Sequence, residues 1–176
     1  MTGGFPGGAM KVLVVGVGST IRGDDAVGPV LAQEMAARFP GRCEGLVFDG
    51  SALDLLGWIG PETGYDRVAV VDCLEGGGLD EGEMARLDLP EVPGDLISSH
   101  HAGIRETLHL ARRLRVPLPE DLRFYGVGVR DARAFREGLN PRLAARIPDL
   151  VAELARDLGL LPGETGPQGR SDATPR

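Results

Sequence analysis

The sequence predicts an α/β protein: a three-layer sandwich whose twisted, mostly parallel five-stranded sheet carries helices on both faces. Three observations lead there. Runs such as Lys11–Val17 (KVLVVGV) and Arg67–Cys73 (RVAVVDC) are almost continuously apolar and β-branched. Such runs suit strands buried on both faces. Segments with helical spacing separate the runs. The chain shows no internal repeat, and strand–helix alternation of this kind builds a parallel sheet.

Taken in order, Lys11–Val17 is the first strand and Asp25–Arg38 reads as the first helix. Glu44–Asp49 (EGLVFD) is the second strand. Ala52–Ile59 is a short helix stopped by Gly60 and Pro61. Arg67–Cys73 is the third strand. Glu83–Leu89 is more polar and suits a sheet edge. Ala102–Leu114 has helical spacing through Ile104, Leu108, Ala111 and Leu114. Leu122–Val129 (LRFYGVGV) is the last strand. Asn140 is an N-cap and Pro141 takes the first helical position, opening a helix to about Leu158. Residues 1–10 and 162–176 are polar and rich in Gly and Pro, and are expected to be disordered. That leaves a single domain over residues 11–161.

Composition narrows the function. The formal net charge is −7, and an acidic chain repels phosphate backbones, so no nucleic-acid partner is expected. Arg112, Arg113 and Arg115 are read as charges at a helix end, where they favour the macrodipole. The two cysteines, Cys43 and Cys73, have no CxxC spacing, which argues against a disulfide scaffold or a structural zinc site. No stretch approaches the ~20 apolar residues of a membrane span. The N-terminus lacks the charged start and apolar core of a signal peptide. A cytoplasmic protein that does not associate with membranes is the expectation.

In open parallel sheets, ligands bind beyond the carboxyl ends of the strands. Three segments bring polar groups there. The first is Gly16–Gly28 (GVGSTIRGDDAVG), after the first strand. A dinucleotide loop needs a third glycine where Ile21 stands, and a Walker loop needs Gly-Lys-Ser/Thr. Two adjacent carboxylates at a helix start would also repel a phosphate. Asp24 is well placed as an N-cap, and Asp25 as a first-turn acid favouring the helix dipole. The second segment ends the third strand with Asp72, a carboxylate costly to bury unless paired or metal-bound. Asp49 stands in the same position after its own strand. The third is Ser98–Gly103 (SSHHAG), which places His100 and His101 before a helix, with His109 inside it. Two Asp and one His suit a borderline divalent ion such as zinc, nickel or manganese.

These segments, VLVVGVGSTIRGDDAVG, FDGSALDLL, VVDC and SSHHAGIRETL, together resemble the hydrogenase maturation endopeptidases. The resemblance implies an aspartic-type hydrolase that removes a C-terminal extension from the large-subunit precursor of a nickel–iron hydrogenase. It implies metal ligands at Asp25, Asp72 and His100, which are then also the catalytic residues. His100 is preferred to His101 because His-x-x-Gly fits it, with Gly103 and Ile104 following. The metal implied is nickel already inserted in the substrate, with another divalent ion as the alternative. The partner implied is that precursor, met by a monomer. Ser19 stands where the family usually has Asn, Ser51-Ala52 where it has Gly-Thr, and GVGVRDARAF lacks the proline common after the last strand. GxSxG, HExxH and a Cys with a placed base are missing, so metal-assisted hydrolysis is the expected mechanism. The alternatives are a non-catalytic nickel-binding assembly chaperone and, more remotely, a peptidyl-tRNA hydrolase relative or a nucleotide-binding domain. The tRNA reading needs a histidine soon after the GxG loop, and none precedes His100.

Overall fold

The computed structural model describes residues 10–76, 78–87, 111 and 113–161, with Ala52 described in its backbone alone. Strand β1 (Val12–Val17) is buried along its whole length. A 3-10 turn, Gly23–Ala26, then leads straight into α1 (Val27–Arg38). The helix expected from Asp25 therefore begins at Val27, with both aspartates in the tighter turn before it. Next come β2 (Cys43–Phe48) and α2 (Ala52–Ile59), whose Ser51 cap accepts the Asp54 N–H. Strand β3 (Arg67–Glu75) continues past Cys73 through Leu74 and Glu75. Strands β4 (Met84–Leu87) and β5 (Leu122–Val129) precede the last helix, α3 (Pro141–Asp157). The Asn140 cap is in place: its Oδ1 accepts the N–H groups of Arg142 (2.9 Å) and Leu143 (3.1 Å). Most of the expected helix Ala102–Leu114 lies outside the described residues. At its end Ala111 and Arg113 are helical, and Ala111 is buried.

The five strands run in the order β2-β1-β3-β5-β4. Every neighbouring pair is parallel except β4–β5, so the more polar segment forms the antiparallel edge. Strand alternation divides the core in two. Val12, Val14, Ala69, Val71 and Val127 pack with α1 and α3 on one face. Leu13, Val15, Val68, Val70 and Phe124 pack with Leu55 and Ile59 of α2 on the other. Helices therefore cover both faces, and each covers the sheet with its apolar stripe. No described helix is long and apolar enough to cross a membrane.

Close packing of α1 against the sheet depends on glycine. A Cβ on Gly16 would stand 2.1 Å from the Gly28 carbonyl oxygen, and one on Gly28 would stand 2.5 Å from that of Val71. Both obstacles are backbone, which cannot rotate away. Gly16→Ala is therefore expected to destabilise the protein by about 1–3 kcal/mol, the usual cost of overpacking. Urea denaturation measures this, and an unchanged midpoint would contradict the close approach. The GxG pattern is thus explained by helix–sheet packing, with no nucleotide required.

Candidate functional site

The connections locate a crevice. From β1 the chain crosses through α1 to β2 on one side, then returns through α2 to β3 on the other side of β1. The two crossover helices lie on opposite faces, so the topological switch point falls between β1 and β3. Register ends there too: the last β1–β3 pair is Gly16 with Val71, and Asp72 is the next residue. Asp25 comes from the turn after β1. Asp25 and Asp72 are both buried, at 4% and 1% exposure.

Each carboxylate is held by backbone. The Ser19 N–H donates to Asp25 Oδ2 (2.9 Å), and the Cys73 N–H donates to Asp72 Oδ1 (2.7 Å). Gly18 makes the first of these possible. Its φ of +134° and a Cβ position only 2.1 Å from the Asp25 carbonyl oxygen exclude other residues there. Asp49, which the strand-end pattern alone could not separate from Asp72, is exposed. The expected third ligand, His100, lies outside the described residues, as do His101 and His109.

Asp24 corrects the expectation of an N-cap. The cap position of α1 is Ala26, and that of the 3-10 turn is Arg22. Asp24 points instead across the molecule. Its Oδ1 accepts from Arg136 Nη2 and from the Asn140 N–H, and its Oδ2 accepts from Asn140 Nδ2, all at 2.8 Å. Asn140 Nδ2 also donates to Glu81 Oε1 (2.7 Å). Asp24 thus places its negative charge at the N-terminus of α3, where the helix dipole favours it. Adjacent aspartates have separate tasks: Asp24 ties the turn to α3, and Asp25 faces the crevice.

Sequence reasoning missed Cys73. Its thiol donates to Asp25 Oδ1 at 3.2 Å, in the buried interior. Ligand atoms of Asp25, Asp72 and Cys73 all lie within 4.8 Å of one another, a set that can hold a metal ion. Burial first, then the charges of Asp72 and Asp25, push the Cys73 thiol well above its usual range. It is a neutral hydrogen-bond donor at physiological pH and not a ready nucleophile. The signal for it was its place directly after Asp72, but strand alternation argued that neighbours face opposite ways.

The open sheet and its acidic crevice at the switch point define an α/β protein of the kind that binds ligands at the carboxyl edge of its strands. The sequence matches the family described as hydrogenase maturation protease over residues 29–157. The chain belongs to that family, and so to the hydrolases. The match includes Asp72 and His100 and begins just after Asp25. No curated protein sequence matches the chain. Among solved structures, it is similar to the hydrogenase maturating endopeptidase HybD from E. coli. That match has 25% identity and a TM-score of 0.68, covering 86% of this chain and 93% of the other. It also shares its fold with the [NiFe] hydrogenase maturation protease HybD from Thermococcus kodakarensis. There the identity is 21% and the TM-score 0.65, with 85% and 99% of the two chains covered. HycI from Thermococcus kodakarensis KOD1 has the same fold, at 22% identity, a TM-score of 0.63 and coverage of 87% and 95%.

Proposed function

We propose that this protein removes a C-terminal extension from the large-subunit precursor of a nickel–iron hydrogenase after nickel insertion, with Asp25, Asp72 and His100 as its metal-binding and catalytic residues. The joint burial of Asp25 and Asp72 at the switch point carries this reading. Two carboxylates buried side by side are costly unless a cation or a proton compensates them. The donor set fits a divalent ion, and nickel carried by the substrate is the first choice, with another dication as the alternative. Such an ion polarises a scissile carbonyl or activates a water. The chain's own part is to aim the oxygens: Ser19 and Cys73 N–H groups fix one oxygen of each carboxylate. A carboxylate of the pair then serves as general base.

The test is to express the protein with the nickel-loaded precursor and weigh the large subunit. Loss of a C-terminal peptide supports the protease. An intact subunit, shown to contain nickel, favours the non-catalytic chaperone. Cleavage that survives loss of Asp25, Asp72 and His100 in turn would leave the protease standing and remove this site.

The rim suggests where the precursor rests. Thr20, Ile21, Phe135, Arg136 and Glu137 line an open cleft of about 500 Å³. Ile21 and Phe135 are 66% and 81% exposed, and Arg22 stacks over the Phe135 ring at 5.7 Å. Exposed apolar side chains beside the catalytic turn suit a peptide partner. Replacing both by serine is expected to raise KM for the precursor roughly 10-fold, with kcat and Tm unchanged, as for loss of an interface anchor. Unchanged KM would place docking elsewhere.

A further inference from the structure

We infer that the Cys73 thiol is a further ligand of this crevice, added to the set proposed above, so that the crevice takes a thiophilic dication such as cobalt, zinc, nickel or cadmium in preference to magnesium or manganese. The inference rests on the reading that the crevice binds a metal, and adds a sulfur donor to it.

Geometry carries it. Asp72 and Cys73 are consecutive in β3, so a regular strand would send them to opposite faces. Cys73 indeed belongs to the core layer of Val71 and α1. But pairing with β1 stops at Val71, so the sheet does not continue between Asp72 and the turn after β1. There the Asp72 carboxylate folds back onto the Cys73 N–H (2.7 Å), and the Cys73 thiol meets Asp25 Oδ1 (3.2 Å). Three donors from two segments thus converge within 4.8 Å, each nine-tenths buried or more. Oxygen and sulfur ligands stand about 2.0–2.3 Å from a zinc-like ion, so small side-chain rotations bring all three onto one centre. Cys43 provides the contrast. It lies at the start of β2, opposite Val12 and so at the far edge of the sheet, and among the described residues its Sγ donates to the Glu44 carbonyl oxygen at 3.6 Å.

Binding is an exchange without redox change. The sulfur–hydrogen bond breaks, a sulfur–metal bond forms, and the proton leaves to solvent. The charge of the dication offsets the negative charge that otherwise keeps that proton in place. A thiolate favours the softer, borderline ions, whereas carboxylates alone suit magnesium and manganese.

The experiment titrates cobalt(II) into the full-length protein under reducing conditions and follows sulfur-to-cobalt charge-transfer absorption in the near ultraviolet. Wild type and Cys43→Ser are expected to show the band. Cys73→Ser is expected to lose it and to bind cobalt at least ~10-fold more weakly, with magnesium affinity unchanged. Serine keeps a donor to Asp25, so a thiol that only positions the carboxylate would leave cobalt affinity nearly intact. Cobalt bound by wild type without the band, or a band that persists in Cys73→Ser, overturns the inference and leaves the metal reading standing. Failure of wild type to bind cobalt at all overturns both. If Cys73→Ser does not fold, cadmium NMR on the wild-type protein decides, since its chemical shift reports whether sulfur is bound.

Discussion

Asp25→Asn is expected to abolish precursor processing while leaving the protein folded. The amide has the same shape as the carboxylate, and its remaining oxygen can accept the Ser19 N–H that Asp25 Oδ2 now accepts at 2.9 Å. What disappears is the charge, together with the Oδ1 acceptor of the Cys73 thiol, whose sulfur then faces the new amide N–H. Among the described residues Asp25 is held by the Ser19 N–H and the Cys73 thiol, both neutral donors. Stability should therefore change by no more than ~1 kcal/mol, and a small gain is consistent with relief of a buried charge. Activity is different. Changing even an outer partner of a metal ligand costs roughly 10–100-fold, so neutralising a proposed ligand should cost more than ~100-fold. The measurement pairs the mass of the coexpressed large subunit with a urea melt of the variant. Full processing by Asp25→Asn would remove this residue from the mechanism, and an unfolded variant would show that its carboxylate is structural.

Asp24→Ala is expected to show the reverse emphasis: a large loss of stability, with function falling because the fold does. Asp24 is 2% exposed and accepts three hydrogen bonds from Arg136 and Asn140. Alanine leaves the Asn140 N–H and amide without that acceptor and removes a charge at the start of α3. Arg136 stays accessible to water, so the main cost is the two part-buried Asn140 donors that lose this partner, about 1–3 kcal/mol each. For a domain of this size that lowers Tm by roughly 10 °C. Arg136→Ala should cost less, since its side chain is 43% exposed and water can replace it beside Asp24. Calorimetry on the two variants checks the order. A loss under ~1 kcal/mol for Asp24→Ala would show that the network does not hold the turn.

These two variants, one residue apart, mark the boundary between what sequence could and could not determine. Patterns that depend on neighbours in the chain were legible. Residues Leu122–Val129 and Ala52–Ile59 form their elements over the ranges expected, because β-branched runs, Ser51 and the Gly60-Pro61 stop act within a turn or two. Asn140 and Pro141 open α3 for the same local reason. The resemblance of the strand-end motifs was also legible, and with it the family. The tasks of Asp24 and Asp25 were not. Both read as helix-start acids, and their difference depends on Asn140, 116 positions away, and on Cys73, 48 positions away. Asp49 and Asp72 likewise follow similar strands, and only the sheet order, with β3 central and β2 at the edge, buries one and exposes the other. Sequence alone determined the elements and the chemical types at their ends, since backbone propensity and capping are short-range. Which carboxylates meet, and that a thiol meets them, was decided by the tertiary structure, because β1 ends where β3 continues and the space between admits groups from both faces.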